Sequence, residues 1–209
     1  MSNLTKARLV EMLRNAAQII EDQHVALSHL DEATGDGDHG VTIHRTMRAV
    51  TAALDESADA PLADLLKQIA MKVMMCDGGS TSPLLGSWFL GLAAAAADDE
   101  LTPDQTAALF EAGLANFRKT SKASVGDKTM MDAFEPATQA LVAELNASGD
   151  QAQAFQAAAR KAAEGAELTK QYVARFGRAR TMGERSLGHL DPGAKSISFI
   201  FEGFAQANA

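Results

Sequence analysis

Apolar residues recur three and four positions apart along nearly the whole chain, and that period constrains the fold more than any other feature of the sequence. Leu9, Leu13, Ala16, Ile20, Leu27 and Leu30 fall on one helical face. Ile43, Met47, Val50 and Leu54 fall on a second, and Leu62, Leu65, Leu66, Ile69 and Val73 follow Pro61 on a third. Pro83 opens an apolar, Gly-containing helix that runs to Ala97. Thr102-Pro103-Asp104 reads as a helix start, with a capping hydroxyl, proline at the first position and an acid in the first turn, and predicts a helix to about Thr120. A further helix is expected over about Ala133–Asn146 with Pro136 in its first turn. Asp150 caps a long Ala-rich helix expected to end near Phe176-Gly177. Ser196–Phe201 alternates like a strand, yet Ile197, Ile200, Phe201 and Phe204 also fit a helix. A lone strand would lack a partner, so helix is the reading. About eight helices without strand–helix alternation predict an all-α fold, read as one domain over residues 1–209.

The polar punctuation is concentrated. Glycines and acids gather in four breaks, at 31–42, 77–82, 121–132 and 177–193. If the helices run up and down, alternate connections meet at one end, where these breaks would come together.

Composition narrows the function. A net charge of −8 argues against a nucleic-acid partner, because an acidic chain gains nothing from counterion release. An acidic protein that binds phosphate needs metal ions or local amides. Cys76 is the only cysteine, so no internal disulfide forms, and it reads as a small core residue. No secretory leader and no apolar tract long enough to span a bilayer are visible, which gives a cytoplasmic expectation.

The most informative break is Asp31-Glu-Ala-Thr-Gly-Asp36-Gly-Asp38-His39-Gly40. Carboxylates this close repel unless a cation neutralises them or one keeps its proton. Hard oxygen donors on a Gly-rich turn suit Mg²⁺ or Ca²⁺, while a solvated turn is the plain alternative. Gly35, Gly37 and Gly40 formally match a dinucleotide fingerprint, but a helix precedes them and acids sit inside the loop. The EF-hand pattern also fails, since its fifth and twelfth positions would be Gly40 and Met47. Asp77-Gly-Gly-Ser80-Thr81-Ser82-Pro83 leads into a helix N-terminus, a place where amides and hydroxyls hold anions, though ordinary capping accounts for it equally. No Gly-Lys-Ser/Thr and no His-Glu-x-x-His motif is present. Gly126–Asp132 alone is a polar loop, and Arg178 in the last break would suit a phosphate.

Taken in order, LDEATGDGDHG, GGSTSP, GDKTMMDA and GERSLGHLDPGAKS resemble one family: the nucleotide-binding L subunit of bacterial dihydroxyacetone kinases driven by the phosphoenolpyruvate phosphotransferase system. The resemblance spans Leu30 to Ser196. It implies a closed barrel of eight antiparallel helices with the nucleotide at one end. It implies Asp31, Asp36 and Asp38 as ligands of two Mg²⁺, with no separate catalytic side chain. His39, Gly40, Val41 and Thr42 would line the phosphate end, with Ser80 and Thr81 opposite. Ser121, Met130, Arg178, Asp191, Pro192 and Gly193 would complete an ADP/ATP pocket. ADP carries about three negative charges and the aspartates add three, which two Mg²⁺ would largely offset. The resemblance further implies that bound ADP is rephosphorylated by a phosphohistidine carrier, the M subunit, and that the phosphoryl group then passes to dihydroxyacetone on a separate K subunit. Thr42 stands where the family usually has Asn, and Ser121 where Gly is common. Three other readings stay open: a subunit exchanging free ATP for dihydroxyacetone or another short ketose such as erythrulose, a metal–nucleotide module regulating a partner, and a phosphocarrier using His39.

Overall fold

The computed structural model describes residues 3–209. Eight α-helices follow one another: α1 (Lys6–Glu32), α2 (His39–Glu56), α3 (Leu62–Met75), α4 (Thr81–Ala95), α5 (Pro103–Ser121), α6 (Met131–Ser148), α7 (Gln151–Leu168) and α8 (Pro192–Ala207). Each packs against its neighbours in sequence, and α1 packs on α8, so the ring closes.

Local chemistry sets most of the helix starts. The hydroxyl of Thr5 accepts from the Arg8 amide, and Thr102 forms a capping box with Gln105 ahead of Pro103. Asp150 and Asp191 cap α7 and α8 through the amides of Gln153 and Ala194. α5 and α6 end on left-handed residues, Lys122 and Gly149.

The inward faces are those read from the apolar period, including Leu9, Leu13, Ala16 and Ile20 on α1 and Ile43, Met47, Val50 and Leu54 on α2, all buried. Few aromatics are present, but they concentrate in the barrel: Trp88 packs against Phe89, Phe110, Phe134 and Phe204. Small residues bring the ring shut. A methyl group on Gly203 of α8 would lie 2.4 Å from the amide nitrogen of Ala16 on α1.

Four expectations change. The segment 196–201 is helical as read, but a short antiparallel ladder does exist, pairing Leu4–Thr5 with Glu100–Leu101. α6 starts at Met131, so Pro136 lies beyond the first turn. It removes an amide facing the Asp132 carbonyl, where Gly165 of α7 approaches so closely that a methyl there would lie 2.0 Å from that oxygen. α7 stops at Leu168, well before Phe176, and becomes a 3₁₀ turn over Thr169–Gln171. There the Thr169 carbonyl accepts from the Lys128 ammonium and its hydroxyl accepts from the Asp191 amide, tertiary bonds that sequence periodicity does not contain. The last break carries 3₁₀ structure over Arg178–Ser186, kinked at Gly183. Among the described residues no helix is long and apolar enough to cross a membrane.

Candidate nucleotide and metal site

All four polar breaks meet at one end of the ring. The connections α1–α2, α3–α4, α5–α6 and α7–α8 surround a cavity of about 470 Å³. The geometry is a consequence of alternation: every second connection of an up-and-down ring lies on the same end. It also aims the N-termini of α2, α4, α6 and α8 at one place, each carrying amides without intrahelical acceptors and the positive end of a helix dipole.

At the mouth, Asp31, Asp36 and Asp38 each place a carboxylate oxygen within 4.8 Å of the others. Asp31 is half-buried at the end of α1, and one of its oxygens accepts from the His39 amide at 3.2 Å. Asp36 and Asp38 are exposed on the glycine turn, where Gly37 has φ of +79°. The Arg178 guanidinium reaches from the last break to pair with Asp36 and lies 3.9 Å from Asp38. A cation therefore already sits on two of the three carboxylates. A cluster of hard oxygen donors that draws in a guanidinium fits a divalent metal by charge and by donor type.

His39 is held behind this cluster. The Ser196 hydroxyl donates its proton to the Gly193 carbonyl at 2.8 Å, so it accepts from His39 Nε2 at 3.1 Å. Burial pushes the imidazole down to about 4, against the attraction of Asp31, and the ring is neutral at pH 7. Asp191 is pushed up to about 7, chiefly by burial of its carboxyl, although the Ala194 amide donating to it acts the other way.

Apolar residues share the lining: Pro83, Leu84, Phe117, Ala123, Met130 and Met131. The cavity thus combines charged and apolar lining, as a nucleotide requires.

Of the residues read from the sequence, Asp31, Asp36, Asp38, His39, Thr42, Ser80, Thr81, Ser121, Met130, Arg178, Asp191, Pro192 and Gly193 line this cavity. Gly40 and Val41 do not. Gly40 is buried against α1, where a methyl would lie 1.8 Å from the His24 carbonyl oxygen, so its role is the close approach of two helices. The Val41 side chain faces outward. Their amides, in the first turn of α2, remain at the cavity end. The residue most clearly missed is Lys128. Its neighbours read as an ordinary polar loop, and nothing local marks a lysine that is only 2% exposed.

The DAK2 domain family matches residues 33–206. The chain belongs to the DAK2-domain family. Its relatives within that family match it almost end to end. It is 35% identical to the ADP-binding subunit DhaL of PEP-dependent dihydroxyacetone kinase 1 from Listeria innocua, over 93% of this chain and 92% of that one. It is 33% identical to the ADP-binding subunit DhaL of PEP-dependent dihydroxyacetone kinase from Escherichia coli, over 98% of each. The DAK2 fold is also seen in the crystal structure of the C. freundii dihydroxyacetone kinase in complex with AMP-PNP and Mg²⁺, which superimposes with a TM-score of 0.72 at 27% identity over 99% of this chain. This DAK2 chain corresponds to 35% of that longer kinase. The matches explain why four individually weak motifs occur in a fixed order: in a DAK2 barrel they are the four connections at one end.

Proposed function

We propose that this chain is the nucleotide-binding subunit of a dihydroxyacetone kinase, acting as one unit over residues 1–209 and holding ADP or ATP with two Mg²⁺. The observation that carries this reading is the convergence of Asp31, Asp36, Asp38 and Arg178 on one cavity that is also lined by apolar residues. When bound, the Mg²⁺–nucleotide supplies the transferable phosphoryl group, received from a phosphohistidine carrier (the M subunit) and delivered to dihydroxyacetone on a separate K subunit.

The chain's own residues do the holding. The three aspartates take the metals, and the amides at the starts of α2 and α4, with Thr42, Ser80 and Thr81, face the phosphates. Arg178, which reaches the same carboxylates, would stabilise charge on the transferring group. Met130 and Asp191–Gly193 form the wall beside the rest of the nucleotide. His39 stays neutral and keeps the start of α2 in register through Ser196.

The donor is tested directly. The ADP-loaded chain is mixed with its K subunit, dihydroxyacetone and excess ATP, and the phosphohistidine carrier is added afterwards. Turnover that starts only with the carrier is expected. Rapid steady-state turnover on ATP alone would make this an ATP-dependent ketose kinase subunit. No turnover in either arm would overturn the kinase reading.

A further inference from the structure

Lys128 is a buried cation outside the metal cluster and outside the residues read from the sequence. Its backbone has φ of +59°, the left-handed region that a lysine rarely adopts. Its side chain crosses the α5–α6 connection to the α7–α8 connection. There Nζ donates to the carbonyls of Thr169, at 2.6 Å, and His189. Both ends of the tie are themselves fixed. On the near side, Asp132 closes the loop by accepting from the Gly126 amide at 2.5 Å and the Thr129 amide at 2.6 Å. On the far side, the Thr169 hydroxyl accepts from the Asp191 amide at 2.9 Å, and Asp191 caps α8. Burial lowers the affinity of the Lys128 amine for its proton, while Asp191 and Asp132 hold it charged.

The consequence is that Met130 and the Asp191–Gly193 turn, which come from different connections, form one wall of the cavity. A methyl on Gly193 would lie 2.9 Å from Met130 Cγ. Asp31, Asp36 and Asp38 hang on the α1–α2 connection, which makes no hydrogen bond to Lys128, Thr169 or Asp132 among the described residues. One hydrogen-bonded path joins the two sides, from Asp31 through His39 and Ser196 to the Gly193 carbonyl, and Lys128 and Thr169 are not part of it.

We propose that Lys128 is a positioning residue for the nucleoside part of the ligand: through Thr169 it fixes the Met130–Asp191 wall, while the aspartates of the α1–α2 connection bond neither Lys128 nor Thr169. This rests on the nucleotide reading above.

The test compares two probes, ADP and inorganic pyrophosphate, each with Mg²⁺, titrated by calorimetry into wild type, Lys128→Met and Thr169→Val. Lys128→Met removes the charged donor and is expected to weaken ADP at least about tenfold, in line with a charge-assisted hydrogen bond. Pyrophosphate affinity is expected to hold in the same variant. Thr169→Val keeps volume but deletes the acceptor for the Asp191 amide, and the same selective loss is expected. A purely structural role would weaken both probes together, so parallel losses overturn the proposal, as do unchanged affinities for both. If Lys128→Met does not fold, as judged by circular dichroism, Thr169→Val decides. Wild type that binds neither probe removes the nucleotide reading itself, an outcome distinct from variants that match a binding wild type.

Discussion

At Asp36 the proposed metal role and the contribution to stability separate most clearly. The residue is exposed, and its contact to Arg178 is a surface ion pair, a class worth about 0–1 kcal/mol. As a metal ligand the same carboxylate would matter far more, since losing even the outer partners of metal ligands costs about 10–100-fold in affinity. Asp36→Asn is therefore expected to keep the helical circular dichroism spectrum and to lose more than about 100-fold in Mg²⁺–ADP affinity. His24→Ala is the matched control: its ring stacks on His44 with centroids 4.6 Å apart and does not line the cavity, so binding should be unchanged. Wild-type affinity in Asp36→Asn would remove it from the metal site.

Helices meet in this ring through small residues, which turns a favourable helix substitution into an unfavourable one. On propensity alone, Gly203→Ala inside α8 would stabilise by about 1 kcal/mol. Packing opposes that. The added methyl would meet backbone atoms of Ala16 at 2.4 and 2.5 Å, and backbone cannot rotate away as a flexible side chain can. Overpacking of this kind costs about 1–3 kcal/mol, so packing outweighs propensity. Urea unfolding of Gly203→Ala is expected to show a net loss of up to about 2 kcal/mol, with the weakened seam between α1 and α8. A higher midpoint would mean that the two helices slide apart without cost.

The molecule as a whole gathers four loops with a surplus of acidic groups at one end, so its stability should depend on what neutralises them. Ligand bound only by the folded state adds RT ln(1 + [L]/Kd), about 2.7 kcal/mol at a hundredfold excess over Kd. The purified protein is expected to release ADP into an acid extract, and EDTA should lower its melting temperature. An unchanged melting temperature together with an empty extract would rule out a tightly held Mg²⁺–nucleotide.

Local chemistry marked the helix starts at Thr102 and Asp150, the inward faces of α1 to α3, and the crowding of three aspartates in one break, because caps, periodicity and carboxylate spacing act within a few residues. That the breaks share one end followed on condition that the helices run up and down, and closure of the ring was implied by the family resemblance. Three features needed the tertiary structure. α7 ends at Leu168 because Lys128 and Asp191 capture Thr169 across the molecule. Gly40 serves helix contact and not the cavity, since only the packed pair puts it against the His24 carbonyl. Lys128 is buried although its loop reads as polar, because its partners are backbone carbonyls far along the chain, at residues 169 and 189. A carbonyl is present at every residue, so no sequence pattern marks which one a distant lysine will find; closure of the ring decides it.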